Sequence, residues 1–276
     1  MQNALPDQAL FELLDERVTP EGASLDVRPT ALTGGPWSTK HQHGGAVSAL
    51  MTRALEAVPT PVQMRLTRIS LDMFRGVPLE DLRVETRIMR SGLRIQAIEA
   101  RLLHGTHPVA HATGLRLRRD ESLAELEARP TNEPEIAEPP SEVPPFEMRS
   151  GFGEIPGFVR ACDLIPGRAQ ACGEVTTTWA RLRCAVLSGE VPSATVRLAA
   201  VADFASGTGN AMDYTAYSSI NPDLSIHILS EPRSDWIAIR GVTTRAADGI
   251  GQGHAIAHDL IGPVARISAT MLLDRR

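Results

Sequence analysis

The chain has 276 residues, of which 42% are hydrophobic and 22% are charged, and its formal net charge is −5. This length accommodates one large domain or two of roughly 120 to 140 residues, each able to bury a core. The acidic balance gives no reason to expect nucleic acid or a membrane as a partner, and without a signal peptide or an apolar run of about 18 residues we expect a cytoplasmic protein.

The first elements precede a pair of glycines. Residues 6–17 carry four large apolar side chains among acids, which predicts a short amphipathic helix. Residues 25–32 alternate well enough for a strand, and Gly34-Gly35-Pro36 breaks it.

The segment His43-Gly44-Gly45 then leads into a predicted helix. Apolar residues after it fall at helical spacing, among them Val47, Leu50, Met51, Ala54, Leu55 and Val58. The first amides of a helix lack intrahelical partners and carry the positive end of its dipole, so they can hold a carbonyl oxygen that becomes negative. The alternative is that the two glycines only permit a tight strand-to-helix turn.

Four strand-like segments follow this helix with little between them: residues 63–74, 82–90, 94–103 and 109–118. Gly92 and Gly105 fall where hairpin turns are expected. We therefore predict four consecutive strands in an antiparallel meander that wraps around the single helix.

The composition changes abruptly at residues 120–145, where six prolines stand among glutamates, and this indicates a linker. The stretch up to residue 168 is predicted to be irregular, with Phe146, Phe152 and Phe158 covering a surface. Beyond it the pattern repeats as a strand, a helix and four strands, at residues 174–182, 194–206, 212–229, 236–244, 251–258 and 264–273. The three cysteines, Cys162, Cys172 and Cys184, lack metal-ligand spacing and are expected to be reduced and structural.

A direct comparison of the two halves supports a duplication. Residues 107–117 align with residues 262–272, and residues 70–74 align with residues 225–229, both at an offset of 155 (263 − 108). One offset that serves two separated blocks predicts a repeated unit of one sheet and one helix. We expect an N-terminal half at residues 1–120, a linker with an irregular segment at 121–168, and a C-terminal half at 169–276.

These features together resemble the acyl-CoA thioesterase II (TesB-like) group of tandem hotdog proteins. The resemblance rests on His43-Gly44-Gly45 entering a helix, on residues 70–78, and on the terminal strands 108–118 and 263–276. It implies an α+β double hotdog, in which two antiparallel sheets each wrap one central helix and pack edge to edge. It further implies acyl-CoA as substrate and hydrolysis to CoA and a carboxylic acid.

In that family an Asp, a Thr and a Gln hold the attacking water. Asp203 matches the Asp, and Ser219 stands at the Thr position and keeps a hydroxyl. Ala269 stands at the Gln position, and an alanine can neither orient nor polarise a water. The resemblance thus implies Asp203 and Ser219 as catalytic residues, with His43, Gly44 and Gly45 around the substrate carbonyl.

The residues themselves favour a general base at Asp203, since a carboxylate in an otherwise apolar helix is expected to have a raised pKa. The alternative is a polar residue at the exposed end of the helix, or one that bonds the loop after Gly207. His41 and His43 have no partner at ligand spacing, so we expect no metal, and hydrolysis needs no cofactor.

Three functions remain open from the sequence. The first is acyl-CoA hydrolysis. The second is a protein that binds acyl-thioesters without hydrolysing them, because Ala269 replaces the Gln. The third is a hotdog hydratase or dehydratase, which would need an Asp and a His a few residues apart on one loop and helix, and the sequence has no such pair. A tandem chain satisfies its sheet edges internally, and a further homodimer is compatible with this arrangement.

Overall fold

The computed structural model describes residues 8–126, 136, 138–139, 141–147 and 154–276. The predictions for residues 6–7, for most of the linker and for Phe152 lie outside these residues. The described strands are β1 (Ala9–Thr19), β2 (Gly22–Pro29), β3 (Met64–Met73), β4 (Leu82–Arg90), β5 (Ile95–His104), β6 (His107–Arg118), β7 (Cys162–Ile165), β8 (Thr176–Leu182), β9 (Ala185–Leu187), β10 (Tyr217–Ile220), β11 (Asp223–Ile228), β12 (Ile237–Arg245), β13 (Ile250–His258) and β14 (Pro263–Arg275). The described α-helices are α1 (Gly44–Ala57), α2 (Gly157–Arg160) and α3 (Ala194–Ala202).

The strands form one continuous sheet in the order β7-β8-β12-β13-β14-β11-β3-β6-β5-β4-β2-β1-β9, with β10 paired to β14. Its centre is the antiparallel pair β3–β11, in which Ser70 lies opposite Ser225. This pair joins the strands of the first half to those of the second, so the edge-to-edge arrangement of two antiparallel sheets is confirmed.

The predicted helix α1 is confirmed and lies in the interior. Leu50, Met51 and Leu55 are fully buried, and so are the alanines between them. Small side chains let α1 approach α3 closely, and the two helices pack against each other between the curved halves of the sheet. The end of α3 is thereby brought to the start of α1.

The amphipathic helix predicted for residues 6–17 is wrong, because β1 occupies Ala9–Thr19. This strand pairs antiparallel with β2 and parallel with β9. Leu10 and Phe11 are both fully buried although they are adjacent. Neighbouring side chains of a strand point to opposite faces of the sheet, so both faces are covered at this end of β1. A strand that is buried on both faces has consecutive apolar residues and lacks the alternation of a half-buried strand.

Three further details differ from the prediction. The first of the four strands, β3, lies beside the last, β6, and only β4, β5 and β6 form a meander. Residues 212–229 contain two strands, β10 and β11, with a break at Pro222, where the amide that a strand would donate is missing. Within the stretch expected to be irregular, α2 and β7 are formed, and β7 pairs with β8. The boundaries of the two halves stay a proposal.

Candidate active site

The site lies where the start of α1 meets the end of α3. A Cβ on Gly44 would lie 2.8 Å from both carboxylate oxygens of Asp203, and a Cβ on Gly45 would collide with the carbonyl of Ala200 and the ring of Phe158. Neither glycine has a positive φ. The pair is therefore required by close approach of the two helices, and the turn alone does not explain it.

His43 caps α1 and contacts Asp203 directly. Its Nδ1 lies 2.9 Å from Oδ2 of Asp203. A carboxylate oxygen only accepts hydrogen bonds, so Nδ1 must carry the proton, because two facing acceptors would repel each other. The Gly45 amide lies 3.0 Å from the same nitrogen and also reaches the carboxylate. With Nδ1 protonated, that amide donates to Asp203.

Two aromatic rings fix the imidazole of His43. The ring of Phe158 stacks on it with centroids 4.6 Å apart, and the ring of Phe204 lies tilted at 5.4 Å. Phe158 is fully buried, in a region without periodicity where it was expected only to cover a surface. These contacts hold the His43 ring in one orientation towards Asp203.

Asp203 is only 3% exposed, and its carboxylate is held by three donors. Nδ2 of Asn221 donates to its Oδ1 at 2.7 Å, in addition to His43 and the Gly45 amide. Burial raises the pKa of Asp203, but the hydrogen bonds and charge of His43, with Asn221 and Gly45, outweigh it and bring the pKa below its ordinary value. The expectation of a raised pKa is wrong, since the sequence could not show these donors.

Ser219 lines the same cavity as Asp203 but does not bond it. Its Oγ donates to the Sδ of Met271 at 3.3 Å and accepts from Nδ2 of Asn210 at 3.4 Å. Ala269 is buried on β14 opposite Gly253 and is not part of the cavity wall. The side-chain amide that contacts the carboxylate comes from Asn221, which the sequence analysis did not single out although it stands two residues after Ser219.

His43, Gly44, Asp203, Ser219 and Asn221 all line one cavity of about 500 Å³. Its wall is mainly apolar, and Trp37, Arg75 and Tyr214 lie along it as well. In the described part of the chain no group of three or more metal-ligating side chains occurs, and His41 packs against the backbone of Gly76. Gly44 lines the cavity and is the first residue of α1, where the backbone amide has no partner within the helix.

Two family models match the chain. The acyl-CoA thioesterase N-terminal domain matches residues 33–117, and the acyl-CoA thioesterase C-terminal domain matches residues 138–273. The chain belongs to the acyl-CoA thioesterase family. It is thus a thioester hydrolase of a family that acts on acyl-CoA, and both matches contain residues of the site. A search of curated proteins finds no match.

Solved structures agree with the double-hotdog fold of this thioesterase. A conserved hot dog protein from Alicyclobacillus acidocaldarius superposes with a TM-score of 0.72 at 14% identity, covering 94% of this chain and 96% of that one. The tesB protein of Mycobacterium avium subs paratuberculosis gives 0.68 at 14% identity, covering 94% of both chains. The acyl-CoA thioesterase II TesB2 of Mycobacterium marinum gives 0.67 at 13% identity, covering 92% and 93%. None of the helices described for this thioesterase is long and apolar enough to cross a membrane.

Proposed function

We propose that the protein hydrolyses acyl-CoA through a water activated at the His43–Asp203 pair. The observation that carries this proposal is the 2.9 Å contact between an almost fully buried carboxylate and an imidazole, at the wall of an apolar cavity. Gly44, the first residue of α1, lies in the same wall.

The reaction needs only water and the thioester. The water oxygen attacks the carbonyl carbon while its proton passes to the His43–Asp203 pair, and the carbonyl oxygen becomes negative beside the Gly44 amide. When the tetrahedral intermediate collapses, the C–S bond breaks and the pair returns the proton to the CoA thiolate. The products are CoA and a free carboxylic acid, and no metal or cofactor takes part.

The proton taken from the water is shared by His43 and Asp203, because the two groups are in contact and titrate together. A carboxylate that accepts three hydrogen bonds is a weaker base than a free one, so part of its effect is to stabilise positive charge on His43. Asn221 keeps the carboxylate oriented, and Ser219, whose proton is donated to Met271, helps to orient the water by accepting a hydrogen bond from it. We expect the protein to act without nucleic acid or a membrane as partner, with homodimer formation as an open option.

A panel of acyl-CoAs of several chain lengths, with a thiol reagent to detect released CoA, tests the proposal. Asp203→Asn should lower kcat by roughly 10²- to 10⁴-fold on the best substrate and leave its binding nearly intact. Ser219→Ala should cost less, and Asp213→Asn, an exposed aspartate outside the cavity wall, should leave kcat unchanged. Full thiol release by Asp203→Asn would refute the assignment. Saturable binding without release in the parent would instead identify an acyl-thioester binding protein.

One observation favours a second candidate, the hydration of enoyl-thioesters. Hotdog hydratases use an Asp and a His together, and the fold brings His43 and Asp203 into contact although they are far apart in the sequence. Incubation with 2-enoyl-CoA, followed by the absorbance of the conjugated thioester, separates the two reactions. Loss of that absorbance without thiol release would favour hydration over hydrolysis.

A further inference from the structure

Phe146 separates the reactive cavity from a second cavity of about 460 Å³. Three side chains, those of Phe146, Val159 and Leu164, line both cavities and therefore form the partition between them. Val159 belongs to α2 and Leu164 to β7, and both are buried. Phe146 lies in the described segment 141–147, outside any helix or strand, and is only partly buried. Phe146 is therefore the one residue of the partition that does not belong to a helix or a strand.

The reactive pair lies close to this partition. Phe158 stacks on His43, and the next residue, Val159, is in the partition. A thioester carbon placed at Asp203 has its acyl chain on one side and CoA on the other. The wall beside Phe146 carries the apolar side chains of Val159 and Leu164, and the charged residues Glu147 and Arg168 lie next to them, whereas the exposed Arg75 lies elsewhere on the wall. Burial against Phe146, Val159 and Leu164 favours the acyl chain at this partition.

We infer that Phe146 sets the length of the acyl chain by closing the cavity beyond the thioester. If this ring were absent, the end of a longer chain would enter the apolar part of the second cavity, beside Val143 and Ile155 and away from Arg160, Asp163 and Arg183, which line it as well. This inference rests on the proposed function. The segment that carries the ring is tied by Arg168, whose Nη2 donates to the carbonyl of Glu147 at 3.3 Å. The linker between the two halves thereby supplies a determinant of substrate choice.

Phe146→Ala should shift the preferred acyl length upwards. Each methylene newly buried in the joined cavity is worth about fourfold in kcat/KM, so the ratio of kcat/KM for the longest to the shortest substrate should rise at least about tenfold. Phe74→Ala, at a phenylalanine that is 57% exposed and lines neither cavity, is the matched control and should leave the ratio unchanged. Phe146→Leu covers the case in which the alanine variant folds poorly, and it should give a smaller shift in the same direction.

A second substitution tests the role of the second cavity. Val143 lines that cavity and not the reactive one. In the Phe146→Ala background, Val143→Trp should fill the added space and return the preferred length towards that of the parent. An unchanged length preference in Phe146→Ala and Phe146→Leu would overturn the inference, and so would a double variant that keeps the longer preference.

Binding of free fatty acids of graded length, measured by calorimetry, gives a readout that does not depend on hydrolysis. Parent affinity should reach its maximum at a shorter chain than Phe146→Ala affinity. If the parent hydrolyses no acyl-CoA but the binding maximum shifts, the proposed function fails and the partition stands. If the parent hydrolyses acyl-CoA and neither maximum shifts, the partition fails and the proposed function stands.

Discussion

Nδ1 of His43 and Oδ2 of Asp203 lie 2.9 Å apart although one residue begins α1 in the first half and the other ends α3 in the second. The contact exists only when both helices are packed inside the joined sheet. Changes at the junction of the two helices should therefore alter catalysis without touching either side chain.

Gly44→Ala is the most direct change of this kind. The new methyl group would lie 2.8 Å from both oxygens of Asp203, so the carboxylate must move away. A displacement of about 1 Å costs about 10²-fold in kcat, and we expect a loss of that order. The matched control is Gly207→Ala, where an added Cβ lies 3.7 Å from its nearest neighbour and the glycine also lines the cavity. Equal activity of both variants would contradict the requirement for close approach.

Asn221 should act through Asp203. Asn221→Ala removes the donor that lies 2.7 Å from Oδ1, and the loss of a hydrogen bond to a charged group predicts a decrease in kcat of about 10- to 100-fold. Asn221→Asp places a second carboxylate beside the first, which raises the pKa of the pair. The acidic limb of the kcat/KM profile should then move to higher pH in Asn221→Asp. A limb that stays in place would show that Asn221 has only a packing role.

Ala269→Gln should not raise the activity of the parent. Ala269 is buried on β14, which packs against the segment Asp203–Ser206, and it does not line the cavity. A larger side chain there overpacks the core, and we expect a loss of about 1–3 kcal/mol in the free energy of unfolding. Thr270→Gln, at the exposed neighbouring position, is the control and should have little effect. Faster thiol release by Ala269→Gln would show that the family's glutamine geometry is preserved.

The lowered pKa of Asp203 makes stability depend on pH. Its folded-state pKa lies below the ordinary 3.8, so the stability that the ionised group contributes is fully present above 3.8 and is lost as the pH falls through the folded-state value. In urea titrations, the difference in unfolding free energy between the parent and Asp203→Asn should be constant at neutral pH and should shrink in acid. A difference that grows as the pH falls would mean that the pKa of Asp203 is raised.

Local patterns predicted α1 correctly, and the helix begins at Gly44, within the glycine pair that was expected to lead into it. This prediction needed only residues that are close together in the sequence: the helical spacing after Gly45 and the two glycines Gly44 and Gly45. The strand β1 was misread because buried residues at Leu10 and Phe11 suit either a helix or a strand covered on both faces. The strand β9, which pairs with β1, comes much later in the chain, and no local sequence pattern predicts that pairing.

The candidate site was predicted only in part. Asp203 and His43 were both singled out, but their contact depends on how the two halves join. The contact of Asn221 depends on the break between β10 and β11, and Phe158 comes from a segment with no periodicity. The pKa of Asp203 follows from these distant donors, so its direction could not be predicted from the apolar helix around it.

Ser70 and Ser225, which face each other where the two halves join, are also the residues that the 155-residue offset makes equivalent. A residue that pairs with its own counterpart lies on a twofold axis, so half a turn about this point exchanges one half with the other. The residues that cap the two central helices, His43 and Ser193, are 150 residues apart (193 − 43), so they match as helix caps and not through the 155-residue offset.

Arg53 and Asp203 each lie ten residues after the cap of their helix (53 − 43 and 203 − 193). Arg53 forms ion pairs with Glu16 and Glu190, so the position that holds an acid in one half holds a neutralised cation in the other. Arg53 thus links neighbouring elements through its two ion pairs, whereas Asp203 contacts His43 in the candidate site. We therefore expect the stoichiometry of a tight-binding acyl-CoA analogue to be one molecule per chain, not one per repeat.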